Sequence, residues 1–227
     1  MHACLLQVPC AGSGMGLNWC LHGFTKPVSN WCERVLREQG CLTAEPIYNK
    51  VKDFALEFYS DGQGEVRFAG YSVFSTNEHG AYTGNLLASD GQIEESIACC
   101  LSFEKLTGIR EALRAELVSI YGNTYTGYLG VDMMVCRSDK ENGYRVHPCV
   151  EINMRMNMGV VARLFYDRFV APGSKGCFAV EYVPDNETLR ARHEQDMHDY
   201  PLMVEQGRLA SGYFPLVTIT GKSCYRE

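Results

Sequence analysis

Residues 127–136 and 144–152 are two runs of alternating apolar and polar side chains around the polar stretch 138–143, and what they carry constrains this chain most. Asn142-Gly143 is the best two-residue turn between them, because a type I′ turn needs positive φ at both central positions. A hairpin closed there places Asp132 opposite Asn153 and Met134 opposite Glu151. Strand side chains alternate, so Asp132, Glu151, Asn153 and Arg155 share one face, with Val131, Met133, Val150, Ile152 and Met154 on the other. Two carboxylates within about 5–7 Å on neighbouring strands repel unless a cation lies between them. Mg2+ takes hard oxygen ligands, typically one or two carboxylates with phosphate oxygens, and the Asn153 side-chain oxygen adds a neutral ligand. Arg155 can hold a planar anion in bidentate fashion. The set suits a metal–phosphate site better than a general acid–base pair. The competing expectation is a generic α+β domain whose hairpin is structural, with Asp132 and Glu151 on different faces.

The rest of the chain is ordinary in composition. Of its 227 residues, 46% are hydrophobic and 21% charged, which argues against disorder. A formal net charge of -6 with 21 Lys and Arg leaves no electrostatic footprint for nucleic acid or an anionic membrane. No run of about 18 apolar residues suggests a transmembrane helix, and residues 1–10 lack the basic start and cleavage site of a signal peptide. The 11 cysteines are odd in number and include no Cys-x-x-Cys pair, so reduced, buried thiols in a cytoplasmic protein are expected rather than a disulfide framework or a zinc site.

Residues 3–9 read as a strand running straight into Ala11-Gly12-Ser13-Gly14-Met15-Gly16, an unusual opening that leads us to expect further sequence upstream. Asn30 and Glu33 fit a capping box for a helix ending at Gly40. Strands are expected at 41–47, 53–60, 65–75 and 80–88, the last three an antiparallel meander with a hairpin turn at Asp61-Gly62-Gln63-Gly64. Helical spacing covers 91–121, divided at Gly108. A helix at 159–170, a strand at 176–183, a charged helix at 186–199 and a strand at 213–220 complete the chain. His79, His147, His193 and His198 have no partner at metal-ligand spacing.

The glycine-rich loop could cradle phosphate oxygens with its backbone N–H groups, yet alone it is as well explained by a tight turn. It is neither a Walker loop nor a Rossmann fingerprint. Glu45 at the end of one strand and Asp53 at the start of the next, with Glu57 on the same face as Asp53, are otherwise plain surface charge beside Lys50 and Lys52.

Gly130-Val131-Asp132 followed by Glu151-Ile152-Asn153-Met154-Arg155 resembles the ATP-grasp superfamily, whose members include biotin carboxylases, carbamoyl-phosphate synthetases and D-alanine–D-alanine ligases. The resemblance runs from the glycine loop to the helix after Arg155 and fades beyond about residue 172. It implies an α+β fold of mostly antiparallel sheets with flanking helices, with residues 1–90 as a nucleotide-clamping subdomain and 91–227 as the metal-binding catalytic subdomain. It implies ATP and Mg2+ as cofactors, with Asp132, Glu151 and Asn153 as metal ligands and Arg155 on the transferred phosphate or the acyl substrate. Gln7, Gly12, Ser13, Gly14 and Gly16 would then meet the triphosphate, Glu45 the adenine and Asp53 the ribose. The partners implied are a small-molecule carboxylate and a nucleophile, and a homodimer is compatible with them. Gln7 departs from the family, which carries a lysine near this position. A truncated, non-catalytic nucleotide-binding or interaction module is therefore the alternative to a ligase.

Overall fold

The computed structural model describes residues 3–8, 16–78, 80–138 and 143–226. They form two compact units, one of residues 1–49 with 76–82, the other of residues 50–75 with 83–227. The division at Asn49 and Lys50 differs from the expected boundary at residue 90.

In the first unit, β1 (Cys4–Gln7), β2 (Leu17–Cys20), α1 (Lys26–Gln39) and β3 (Thr43–Pro46) follow in order. The strands form an antiparallel sheet in the order β2-β1-β3, in which Leu6, Cys20 and Cys32 pack with Val28, Trp31 and Leu42. The strand β2 was not anticipated. The expected capping box is also absent: α1 begins after Thr25, with Pro27 in its first turn, and Asn30 and Glu33 lie inside the helix. Proline favours this position because its φ is already helical and it lacks an N–H that would go unpaired there. Gly40 ends the helix at φ 78, as its sequence position implied.

The second unit contains β4 (Lys50–Asp61), β5 (Val66–Thr76), β6 (Tyr82–Leu87), α2 (Asp90–Ala98), α3 (Phe103–Tyr121), β7 (Thr126–Arg137), β8 (Tyr144–Asn153), α4 (Met158–Phe169), β9 (Gly176–Ala179), β10 (Glu181–Tyr182), α5 (Asn186–Asp199), β11 (Met203–Glu205), β12 (Arg208–Ser211) and β13 (Tyr225–Arg226). Six of its strands make one sheet, β8-β7-β4-β5-β6-β9, so the meander and the carboxylate hairpin share a single surface. Phe54, Leu56, Phe58, Leu129, Val131 and Met133 cover one face and bury Ile93, Ile97, Leu106 and Leu117 of α2 and α3. Gly108 does not divide these helices; the break lies at residues 99–102, where Ser102 accepts from the Lys105 N–H and starts α3. Ser89 and Gln92 form a capping box on α2, so Ser89→Ala is expected to cost about 1 kcal/mol in a denaturant titration.

The tail departs most from expectation. Residues 213–220 are not a strand; the β-structure there is the β11–β12 hairpin, turned by Gln206 and Gly207 at φ 50 and 77. Among the described residues no helix is long and apolar enough to cross a membrane. Free cysteines are not uniformly buried: Cys20, Cys32 and Cys136 are, whereas Cys41, Cys99, Cys149 and Cys177 are exposed.

Candidate functional site

The hairpin of β7 and β8 brings Asp132 directly opposite Glu151 and Gly130 opposite Asn153, while Met134 pairs with His147. The expected register, with Asp132 opposite Asn153, is therefore two residues out. Between Asp132 and Met134 the pairing shifts, and the residues opposite that irregularity include Pro148, which has no N–H to give to the ladder. The shift is an even number of residues, so the faces are conserved. Asp132, Glu151 and Asn153 share one surface, as the alternation required, and the structural alternative with the carboxylates on different faces does not hold. Residues 139–142, and the Asn142-Gly143 turn with them, lie outside the described residues. Val150 and Met154, expected in the apolar face, are exposed instead, whereas Val131 and Met133 are buried.

On this face the Asn153 Nδ2 donates to Asp132 Oδ2 at 3.0 Å, and an Arg155 NH2 donates to Asn153 Oδ1 at 3.1 Å. Burial, with the Glu151 carboxylate next to it, pushes the Asp132 carboxyl up to about 7, against the pull of Asn153 and Arg155. Asp53 also contributes, for it lies on the same face of the neighbouring strand, where Ala55 pairs with Asp132 and Asp53 with Met134. Lys50 forms an ion pair with Asp53. A half-buried carboxylate facing a second one is short of positive charge. A hard cation that brings phosphate oxygens along would supply it, and two carboxylates with an amide oxygen suit Mg2+ in that role. No group of three or more His, Cys, Asp or Glu among the described residues could hold a metal by itself. The Asn153 oxygen faces Arg155 here, so its amide would have to turn to serve as a ligand.

A cluster of buried polar side chains adjoins this face, and the alternation that put Glu57 beside Asp53 did not reveal it. Glu57 pairs across to Gly130 and is only 1% exposed. Asn157 caps α4, its Oδ1 accepting from the Val160 N–H at 2.9 Å, while its Nδ2 donates to Glu57 Oε2 at 2.9 Å. These two bonds fix the amide's orientation and tie the start of α4 to the sheet. Beside them, Asn85 Nδ2 donates to Ser72 Oγ at 2.7 Å. Two glycines make room. A Cβ on Gly130 would sit 2.2 Å from Asn157 Nδ2 and 2.4 Å from Glu57 Oε2, and one on Gly159 would sit 2.2 Å from Glu57 Oε1 and 2.5 Å from Ser72 Oγ. A carboxylate in the apolar run 54–58 and an asparagine just before a helical pattern were the available sequence signals.

Burial pushes the Glu57 carboxyl up to about 8 from an ordinary 4.5, opposed by the Asn157 bond and aided by Asp132. An acid whose folded pKa is raised holds its proton more tightly when folded. Its contribution to stability is therefore full below pH 4.5, falls as the pH rises from there towards 8 and is level above that. Glu57→Gln should flatten this decline, by at most about 1.4 kcal/mol per pH unit, in urea titrations between those limits. An unchanged slope in the variant would show that Glu57 is not the group responsible.

The remaining candidates lie in the first unit. Gln7 pairs with Leu17 and with Thr43, whose Oγ1 donates to the Gln7 carbonyl at 3.4 Å. Gly16, at φ 80, accepts from the Val8 N–H at 3.1 Å, so the glycine-rich segment joins two antiparallel strands. Gly12, Ser13 and Gly14 lie outside the described residues. Glu45 sits on β3, opposite Leu5.

This arrangement is the ATP-grasp fold. A carboxyaminoimidazole ribonucleotide synthase from Aspergillus clavatus, solved with ATP, matches 93% of the chain at a TM-score of 0.52 and 12% identity. N5-carboxyaminoimidazole synthetase from Staphylococcus aureus, solved with ADP, matches 92% at 0.52 and 11% identity. The biotin carboxylase domain of a Hydrogenobacter thermophilus 2-oxoglutarate carboxylase, a dimer solved with MgADP, ADP and bicarbonate, matches 81% at 0.51 and 12% identity. The chain covers 55%, 56% and 42% of these three structures respectively. No family model and no curated protein matches the sequence.

Proposed function

We propose that this chain carries the metal–phosphate half of an ATP- and Mg2+-dependent ligase. In such a reaction ATP phosphorylates a carboxylate and an amine or similar nucleophile displaces the phosphate. The observation that supports this is the pairing of Asp132 with Glu151 on one face, beside Asn153 and Arg155, with Asp132 short of counter-charge. Asp132, Glu151 and Asn153 would hold Mg2+, which when bound offsets the negative charge of the nucleotide phosphates. Arg155, exposed and bonded to Asn153, its one side-chain hydrogen-bond partner among the described residues, can offer its outer edge to a planar anion. Gln7, the glycine loop from Gly12 to Gly16, Glu45 and Asp53 are proposed as nucleotide contacts.

The test is calorimetric titration with a non-hydrolysable ATP analogue, with and without Mg2+. Binding that needs Mg2+ and disappears in Glu151→Gln is expected; equal binding by the variant would refute the metal assignment.

Gln7 favours a second reading, a module that binds nucleotide without turning it over, because an amide cannot replace the charge of a lysine at the phosphates. The two readings separate in an assay for Mg2+-dependent phosphate release in the presence of candidate carboxylates. Gln7→Lys is expected to tighten nucleotide binding about tenfold, read by the same titration.

A further inference from the structure

A cavity of about 330 Å3 opens in the second unit, away from the carboxylate face. It lies at the β9 end of the sheet, whereas Asp132 and Glu151 stand on β7 and β8. Four strand spacings separate β7 from β9, roughly 19 Å at the usual distance between strands. Its walls are aliphatic and aromatic, with Leu87, Phe165, Phe178, Leu209 and Phe214 among them. The size and lining are those of a small-molecule pocket.

The charges around it are unequal in their freedom. Arg226 bonds through Nε to Glu181 and through a terminal nitrogen to Asp196, and Arg192 takes the other oxygen of Glu181. Those two carboxylates and two guanidinium groups offset one another and are spent. Tyr213 is engaged with His193 at 3.1 Å, and Ser174 Oγ donates to the Ala210 carbonyl at 3.0 Å. Lys175 also lines the cavity, is exposed, and makes no ion pair or side-chain hydrogen bond among the described residues. A largely apolar chamber with an uncommitted lysine at its wall favours an apolar anion: the body is desolvated against the aromatic walls and the charge stays at the ammonium.

We infer that this cavity is a second ligand site, separate from the carboxylate face, that takes a small aryl or alkyl carboxylate with its anion at Lys175. The inference does not depend on the ligase reading.

The experiment uses the full chain and two probes of one shape, phenylbutyrate and phenylbutanol, titrated calorimetrically. Wild-type protein is expected to bind the carboxylate saturably and more tightly than the alcohol. Lys175→Met, which keeps an apolar stem, should weaken the carboxylate about tenfold and leave the alcohol unchanged. Ala210→Phe, which fills the chamber, should abolish binding of both, with the circular dichroism spectrum retained as the check on folding. Glu151→Gln should bind both probes as wild type does. The site is refuted by no saturable binding below about 10 mM, by carboxylate binding indifferent to Lys175→Met, or by binding that survives Ala210→Phe. Loss of binding in Glu151→Gln would refute its separateness.

Discussion

Gly159→Ala is expected to lower the free energy of unfolding by about 3 kcal/mol, a large effect for a single methyl group. The added carbon would lie 2.2 Å from Glu57 Oε1, 2.5 Å from Ser72 Oγ and 2.8 Å from Ser72 Cβ. Glu57 could not swing aside, since it is buried and bonded to Asn157, and Ser72 Cβ is fixed by its own strand. α4 would have to lift from the sheet instead, carrying its Asn157 cap away from Glu57. In an isolated helix the same substitution stabilises, because alanine is the better helix former, so the sign of the effect is itself diagnostic. Urea denaturation gives the value. Pairing the change with Glu57→Ala should recover part of the loss, for it removes one of the two obstacles. A neutral or stabilising Gly159→Ala would mean that α4 does not pack on the carboxyl as described.

Asp132→Asn should act in opposite directions on stability and on binding. Without ligand, the substitution removes a half-buried charge facing Glu151 and keeps an oxygen to accept from Asn153, so the protein should gain about 1–2 kcal/mol at pH 8. With Mg2+ and an ATP analogue at a hundredfold excess over the dissociation constant, the wild-type protein should gain about 2.7 kcal/mol and the variant nothing. Thermal unfolding with and without the pair of ligands reads both effects. Equal gains in the two proteins would remove Asp132 from the metal site, whereas a destabilised apo variant would show that its charge is already compensated.

The face that carries the proposed chemistry was legible before any coordinates. Alternation in 127–136 and 144–152 put Asp132, Glu151 and Asn153 together, and this survived a wrong register because the discrepancy was two residues, which preserves parity. The meander, the helix at 186–199 and the stop at Gly40 were likewise local matters of period and backbone freedom. Four things depended on packing. Beside the turn Arg137 pairs with Tyr144, not with Pro148 as a turn centred on Asn142-Gly143 requires, and the irregularity before Asp132 takes back half of that offset, which no turn rule supplies. Gly108 looked like a helix break but sits inside α3, because Ser102 starts that helix and its interior packs on the sheet. Residues 213–220 have strand-like composition and pair with no strand among the described residues. Alternation put Glu57 on the face of Asp53 and said nothing of its burial; α4, whose Asn157 lies 100 residues later in the chain, buries it. Period, turns and caps act over a few residues and are written in the sequence. Burial, register past an irregularity, and the reason that positions 130 and 159 must be glycine are set by segments distant in sequence, so only the tertiary structure decided them.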